Sequence, residues 1–385
     1  MNPESSVPDH GVVPDGSRPC GEALNSLFAS GPAAWFFPAG CYEIETTLRL
    51  PSGTRLHLDP GAVLRLADGA ATGPDDYLLT NADPVEGNRD LVIEGGILDG
   101  NQRGNPRPPG LMDVGYSGAM LHFDNVNNLR LSGLTLRNAE AYYARFTRVH
   151  DFTVEDILFD SDLIRPNNDG IHLGGNCSRG LIRRLRSEIP GVTGDDMVAL
   201  NADDALDRTE VHGMTRGPIE HIRIESVHAQ RCHSFVRLLS VTSPIRHITI
   251  SDLRGGCERA VMNADGARGC RVQVFDENDP PYPGEGVGWL EDIHVSDARV
   301  HKTQDDGMAL IDLQERVADF QVSDFVRDRA LDRAPGSPTL RFRHMHLHGG
   351  ELNGEALPRR NTLAPNAVYE AAADSVTLMA NPKDL

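Results

Sequence analysis

The sequence predicts an all-β fold, a parallel β-helix, from three observations. Short segments alternate apolar and polar residues with a period of two, which is typical of strands rather than helices. These segments recur along most of the chain, and Gly, Asn and Asp stand between them as turn formers. The segments are not separated by helical stretches, which argues against βαβ units. Stacked coils of short strands give 385 residues one continuous core.

The ends of such a solenoid need protection because they expose strand edges. The segment 20–31, "CGEALNSLFASG", is the one amphipathic helix the sequence offers, and we expect it to cap the N-terminal end. Residues 1–50 then form the cap and first coil. Residues 352–385 show no strand pattern and are expected to form an irregular tail. We treat 1–385 as a single domain.

The repeat is read from the first strong apolar residue of seven segments. Most steps are 23 to 29 residues, and two longer steps of 41 and 45 residues indicate loop insertions. A second short strand follows in each coil. Because neighbouring coils lie ~4.8 Å apart, residues at the same point of successive coils form a ladder. The seven residues are Leu129, Phe152, Leu181, Ile222, Ile248, Ile293 and Phe320.

Composition excludes several classes of partner. With 56 acidic and 37 basic side chains the formal charge is −19, which argues against nucleic acid. No run of 18 apolar residues exists, so no membrane partner is expected. The six cysteines lack metal-site spacing and are expected to be mostly reduced. The first residues do not resemble a signal peptide, which indicates a cytoplasmic protein, or a secreted or periplasmic one if the chain is a mature form.

Acidic residues open two consecutive second strands. These are Asp169 and the pair Asp195 and Asp196, and His233 opens the next one. The steps between them bring the four side chains within about two rungs, roughly 10 Å, if residues 202–217 loop out. Each acid alone fits a turn residue that bonds nearby amides. Clustered carboxyls raise one another's proton affinity, which is a cost that acid/base catalysis exploits.

Two motifs carry a resemblance to a known family. "NNDGIH" (167–172) and "GDDMVALN" (194–201) are similar, in order and on successive coils, to the N-T-D-G and G-D-D motifs of the polygalacturonase-type glycoside hydrolases of family 28. The likeness extends from the N-terminal "DHGVVPDGS" to at least residue 265. It implies a right-handed, single-stranded β-helix of the pectin-lyase-like type.

The resemblance also implies catalytic roles. Asp195 corresponds to the general acid, Asp169 and Asp196 hold and deprotonate the attacking water, and His233 tunes the acids. No metal and no cofactor are implied. We expect the two neighbouring anions to keep Asp195 protonated. Inversion needs acid and base ~6.5–9.5 Å apart, a separation that one or two rungs provide.

The sequence also departs from the family. The family's G-H-G reads "CHS" (232–234), and Met197 replaces a Cys. The next coil usually carries Arg-x-Lys, the cations that grip a uronate, whereas the best register places Ala260 and Met262 there. A shifted register brings Arg259 into the cleft without a Lys. Galacturonan is therefore not assumed as the substrate.

Six residues near the acids are candidates for substrate binding. Arg237 shares a strand face with His233 and is suited to bidentate contacts, although pairing with a surface acid is an equal alternative. The tyrosines offer stacking surfaces, with ordinary packing as the alternative. The set comprises Arg237, Asn167, His172, Asn201, Tyr142 and Tyr143.

The sequence thus predicts an inverting glycoside hydrolase acting on α-linkages of a pectin-related or similar oligo- or polysaccharide. Long segments at 99–118, 202–217 and 266–290 are suited to wall the cleft, and we expect exo action. Two alternatives stay open. A β-helix polysaccharide lyase needs a Lys or Arg base beside calcium-binding acids, and a non-catalytic carbohydrate-binding solenoid needs no acid/base pair.

Overall fold

The computed structural model describes residues 4–31, 33–71, 73–107, 118–203, 213–264, 289–313 and 317–343, and the backbone of short strands beyond. At least half of each predicted cleft wall, 99–118, 202–217 and 266–290, lies outside the described residues. Almost all regular structure is β-strand, which confirms the all-β prediction.

The strands of the first coils precede residue 100. They are β1 (Ser5–Ser6), β2 (Asp15–Pro19), β3 (Ala34–Phe37), β4 (Gly40–Ile44), β5 (Leu48–Leu50), β6 (Arg55–Leu58), β7 (Ala62–Leu66), β8 (Leu79–Asn81), β9 (Asn88–Glu94) and β10 (Ile97–Asp99). A 3₁₀ turn spans Val7–His10, and the helix α1 spans Gly21–Phe28.

The central strands include the longest of the chain. They are β11 (Ala119–Ser132), β12 (Thr135–Arg137), β13 (Tyr142–Asp160), β14 (Ile171–Leu173), β15 (Cys177–Ser187), β16 (Asp196–Asn201), β17 (Ile219–Leu239) and β18 (Ile245–Ala264).

The C-terminal strands become short towards the end. They are β19 (Leu290–Lys302), β20 (Ile311–Leu313), β21 (Val317–Arg327), β22 (Leu340–Arg343), β23 (His346–Leu347), β24 (Gly350–Leu352), β25 (Glu355–Leu357), β26 (Arg360–Asn361), β27 (Val368–Ala371) and β28 (Ser375–Met379).

Successive coils pair in parallel and mostly in the predicted register. Leu129 lies opposite Phe152, and Ile248 lies between Ile222 and Ile293. The prediction was wrong by one residue at Leu181, because Phe152 pairs with Gly180 instead. A Cβ at Gly180 would lie 2.1 Å from the Phe152 ring, so the glycine makes room for the aromatic side chain.

Left-handed turn residues repeat once per coil in the same place. Seven residues that stack through the pairing of the adjacent strands all have φ between 54° and 60°. Asn and Asp tolerate this conformation better than most residues, which explains their frequency between the strands. The column comprises Asp90, Asn128, Asp151, Arg179, His221, His247 and Asp292.

The core fills the interior of the stacked coils with Leu, Ile, Val and Phe side chains. Leu24 and Phe28 of α1 belong to it, and the amide of Asn25 bonds the carbonyl of Thr47, so the helix lies against an early coil. Its capping role stays a prediction. Among the described residues, no helix is long and apolar enough to cross a membrane.

The C-terminal tail differs from the irregular segment that the sequence predicts. Strand β27 pairs antiparallel with β22, and β28 pairs antiparallel with β21. The tail therefore turns back onto the last coils and covers their edges. The sequence does not reveal this, because its short strands lack the spacing of the repeat.

Candidate active site

The predicted acids lie just before β14 and at the start of β16, on two successive coils, and His233 lies within β17 on the next coil. Strands β14 and β16 pair with Ile171 opposite Val198, and β16 pairs with β17 with Asp196 opposite Ser234. The amide of Gly170 donates to the carbonyl of Asp196 at 2.9 Å. This register brings Asp169 beside Asp196 and His233 beside Asp195.

Asp195 and His233 form the most exposed pair of the cluster. Nδ1 of His233 lies 3.1 Å from Oδ1 of Asp195, and the side chains are 29% and 21% exposed. Both are thus open to a ligand while a hydrogen bond fixes their relative position. The sequence prediction that the two residues are neighbours is confirmed.

Asp169 is buried and oriented by His172. Nδ1 of His172 lies 2.5 Å from Oδ2 of Asp169, and both side chains are 5% exposed. The ring of Tyr142 stacks on that of His172 with centroids 4.3 Å apart. Oδ1 of Asp169 and Oδ2 of Asp196 are buried and make no hydrogen bond within the described part of the chain. These two oxygens are therefore suited to accept bonds from a water or sugar hydroxyl.

The three carboxyls differ in their affinity for protons. Burial, reinforced by the charge of Asp195, raises the pKa of Asp169 and of Asp196 well above the usual range. Burial also acts to raise the pKa of Asp195, but the hydrogen bond and charge of His233 outweigh it and lower that pKa. The pKa of His233 is raised because Asp195 and Asp196 outweigh the opposite effect of its burial.

The prediction that neighbouring anions keep Asp195 protonated is therefore wrong for the resting site. The pair Asp195–His233 holds its proton on the imidazole, and the raised pKa values fall on Asp169 and Asp196. The sequence reasoning counted the repulsion between carboxylates and left out the hydrogen bond that favours one of them.

Arg237 lies beside the acids, as its place on the strand predicts. Its charge lowers the pKa of all three carboxyls, and Val236 and Leu238 on either side are buried in the core. In the ladder, Ala199 stands between His172 and Arg237. This small residue thus separates two large polar side chains along the ladder.

The following coil carries a register shift. Ser234 pairs with Ala260 and Val236 with Met262, as predicted, but one extra residue bulges out between Cys257 and Ala260. Ala260 and Met262 are buried, so neither can bind a ligand. Arg259 lies close enough to His233 for its charge to oppose protonation of the imidazole. The alternative with a shifted register therefore describes the position of Arg259 better than the best register did.

The prediction that Tyr143 binds substrate is wrong. It is fully buried, its ring packs 5.1 Å from that of Phe159, and its hydroxyl bonds Oγ of Ser161 at 2.6 Å. Tyr143 is therefore a core residue, whereas Tyr142 stays at the site. The period-two pattern breaks where the second strand begins, so the sequence did not separate the two tyrosines.

Two asparagines remain predicted ligands without a contact to the acids. Asn167 is half-buried in a left-handed turn, and Asn201 is buried with Oδ1 unpaired within the described segments. Asn168, which the sequence reasoning passed over, is fully buried and donates to the carbonyls of Ala139 and Ala141 at 3.0 and 2.6 Å. Asn168 thus fixes the turn that carries Asp169. The place of Asn168 inside "NNDG" is the sequence signal that could have identified this role.

Ligand atoms of Asp195, Asp196 and His233 lie within 4.8 Å of one another, which is close enough to hold one cation. Two carboxylates and an imidazole suit several divalent metals. The expected independence from metals therefore stays a prediction, and a chelator tests it.

Comparisons with known proteins match the part of the chain that carries this site. Residues 89–236 match the model "Glycosyl hydrolases family 28". An exopolygalacturonase of Zea mays is 32% identical over 107 residues, which cover 28% of this chain and 24% of that protein. The chain thus matches about a quarter of that relative's length.

Solved structures show the fold. A hyperthermoactive exopolygalacturonase from Thermotoga maritima superposes with a TM-score of 0.58 at 15% identity, covering 99% of this chain and 96% of that one. PfbA, a surface adhesin of Streptococcus pneumoniae, gives 0.53 at 11% identity, covering 98% and 100%. At such identities the likeness concerns the fold alone.

Proposed function

We propose, on the premise that residues 89–236 belong to glycosyl hydrolases family 28, that this protein is a glycoside hydrolase that cleaves α-linkages in a pectin-related oligo- or polysaccharide. The observation that carries the proposal is the cluster of three carboxyls with His233 hydrogen-bonded to Asp195. The scaffold we propose is a right-handed β-helix capped by α1.

In the proposed mechanism Asp195 donates a proton to the glycosidic oxygen. The Asp195–His233 pair holds one proton, which moves from the imidazole to the carboxylate along the 3.1 Å hydrogen bond and then to the leaving group. Asp169 and Asp196 bind the attacking water through their open oxygens, and the one that is ionised takes its proton. A raised pKa makes that carboxylate a stronger base. Inversion of the anomeric centre follows from attack opposite the leaving group.

The substrate we propose is acidic, and we propose that it is cut from the chain end because the chain matches an exopolygalacturonase of Zea mays over 107 residues. Arg237 beside the carboxyls and Arg259 near His233 supply positive charge to a site that contains three carboxyls. A guanidinium binds carboxylates and hydroxyls in a bidentate manner, so these two residues stand in for the missing Arg-x-Lys.

The decisive experiment compares the wild type with Asp195→Asn on a panel of neutral and acidic oligosaccharides. We expect the wild type to release reducing ends and Asp195→Asn to lose about 10²–10⁴-fold in kcat while still binding substrate. Asp156→Asn, an exposed acid on the outer face, serves as the matched control and should keep full activity. Equal turnover by Asp195→Asn and wild type would contradict the proposal.

A carbohydrate-binding solenoid without catalysis is the alternative that the sequence leaves open. Such a protein binds glycan, releases no reducing ends and is indifferent to Asp195→Asn. A polysaccharide lyase is distinguished by the absorbance of a new double bond and by loss of activity in a chelator. For the hydrolase we expect neither.

A further inference from the structure

Strand β18 carries its bulge directly opposite His233. Between two paired positions β17 has one residue, His233, whereas β18 has two, Glu258 and Arg259. A bulge of this kind leaves one residue outside the ladder and turns side chains into new directions. The two residues carry opposite charges, so the bulge decides which charge acts on the imidazole. The flanking pairs are Cys232 with Cys257 and Ser234 with Ala260.

The two charges of the bulge have different partners. Glu258 forms an ion pair with Arg231, with Oε1 3.1 Å from Nε, and this pair balances the carboxylate. Arg259 is half-buried, and its charge acts to lower the pKa of the His233 imidazole, against the effect of the acids. Charged groups of three coils interact with His233, and they are Asp169, Asp195, Asp196 and Arg259.

A buried lysine of the next coil holds the bulge. Lys302 ends β19, its side chain is 0% exposed, and Nζ donates to the carbonyl of Arg259 at 2.5 Å. The carboxylate of Asp306 also accepts from Nζ and balances its charge. Just before the bulge, the carbonyl of Cys257 accepts from the amide of Thr303 at 2.8 Å. The end of β19 thus contacts the backbone on both sides of the bulge.

The lysine replaces bonds that the strand ladder does not supply. Pairing of β18 with the next coil stops at Cys257 and resumes with β20 at Met262. The carbonyl of Arg259 lies in this gap, and a backbone carbonyl without a partner away from water costs free energy. A fully buried ammonium is also costly unless it is paired. Lys302 and the bulge therefore each supply the partner that the other needs.

We propose that Lys302 is a positioning residue of the active site, and that through the carbonyl of Arg259 it fixes the bulge that presents this arginine to His233. In this role Lys302 acts through the backbone of Arg259 and not on the substrate. The inference rests on the proposed function, because it gives Lys302 a part in setting the proton that the pair Asp195–His233 holds.

The test measures the pKa of His233 by NMR titration in the presence of a chelator, and His233→Asn assigns the signal. Loss of a nearby cation lets the imidazole keep its proton to higher pH. We therefore expect Arg259→Gln to raise this pKa by at least ~0.5 pH unit. Lys302→Met keeps the arginine but frees the bulge, and it should raise the pKa in the same direction. Because both variants act on one contact, the double variant should shift the pKa by less than the sum of the two single shifts.

Glu155→Gln is the matched control for the loss of a buried ion pair. Glu155 of β13 is buried and accepts from Arg183 and Arg184 of β15. Its replacement should lower the unfolding temperature and leave the pKa of His233 unchanged. In the active enzyme the basic limb of kcat/KM should move to higher pH in Arg259→Gln and Lys302→Met, and stay in place in Glu155→Gln.

A purely structural role of Lys302 predicts a different result. Lys302→Met then lowers the unfolding temperature, and kcat at every pH, while the pKa of His233 keeps its wild-type value, and this outcome overturns the proposal. An unchanged pKa in Arg259→Gln overturns it as well. Strict additivity in the double variant does the same, because Lys302 would then act by its own charge. If Lys302→Met does not fold, the neutral and shorter Lys302→Gln provides the same comparison.

Failure of the proposed function is recognised separately, because the NMR titration needs no turnover. An inactive wild type with the expected shifts of the His233 pKa supports the role of Lys302 and contradicts the proposed hydrolase. An active wild type whose His233 pKa is the same in all variants supports the hydrolase and overturns the inference.

Discussion

Nδ1 of His233 lies 3.1 Å from Oδ1 of Asp195, and each residue shifts the protonation of the other. Burial disfavours the charge on both, yet the pKa of Asp195 is lowered and that of His233 is raised above its usual 6.5. The two residues therefore share one proton over a pH range wider than either covers alone, and macroscopic titration reports the pair.

Loss of this shared proton sets the basic limb of the pH profile. A folded-state pKa above 6.5 keeps the proton below that pH and releases it as the pH rises through the raised value. We therefore expect kcat/KM to fall above that raised pKa, and His233→Asn to lower kcat/KM about 10–100-fold and to move the basic limb to lower pH. Initial rates from pH 4 to 9 check this. An unmoved limb in the variant would show that another group sets it.

We expect Arg237 to set the acidic limb of the pH profile of kcat. Its charge lowers the pKa of Asp169 and Asp196, whose ionised form is needed to deprotonate water. Arg237→Gln removes that effect, so both pKa values rise and the acidic limb of the kcat profile should move to higher pH. A KM that rises without any change of the limb would assign Arg237 to substrate binding alone.

Tyr142 is expected to act through its ring. The ring stacks on His172, which in turn bonds Asp169 at 2.5 Å. An aromatic pair of this kind contributes ~0.5–1.5 kcal/mol, so Tyr142→Ala should lower kcat about tenfold, whereas Tyr142→Phe should stay within about threefold of wild type. Steady-state kinetics of both variants give the comparison. Equal losses would instead assign the effect to the hydroxyl.

The acids of the site were predictable because the solenoid converts spacing in the sequence into distance. Asp169 and Asp195 stand just before β14 and β16, and His233 lies within β17, and the repeat places these strands on successive coils. The loop inserted between the last two does not disturb the pairing of Asp196 with Ser234. A motif at a known point of the repeat therefore also predicts where its residues lie in the fold.

Lys302 and the charge distribution were not predictable in this way. Lys302 contacts the carbonyl of Arg259, 43 residues earlier in the chain, at a bulge that interrupts the repeat. The direction of the pKa shift of Asp195 depends on one hydrogen bond, whose length no spacing reveals. Gly180, rather than the predicted Leu181, pairs with Phe152, because the Phe152 ring occupies the space that a side chain would need. Each of these depends on side-chain packing rather than on periodicity.

The buried pair Arg327–Asp332 allows a test of the stability of the last coils. The two side chains are 0% and 1% exposed, and Arg327 also donates to the carbonyl of Ser337 at 2.7 Å. Removing one partner leaves a buried charge, so Asp332→Asn should cost about 3–5 kcal/mol in the free energy of unfolding. Asp151→Asn breaks the exposed pair with Arg179 and should cost less than about 1 kcal/mol.

The difference in free energy of unfolding between wild type and Asp332→Asn depends on pH because the carboxyl of Asp332 titrates. Burial acts to raise the pKa of Asp332, but the hydrogen bond from Arg327 outweighs it and lowers that pKa below its usual 3.8. The stabilisation is therefore complete above 3.8 and is lost as the pH falls through the lowered value. Urea unfolding of wild type and Asp332→Asn should show the full difference at pH 7 and a smaller one towards pH 2. A difference that does not shrink with acid would mean that packing, rather than the ion pair, carries the stability of this turn.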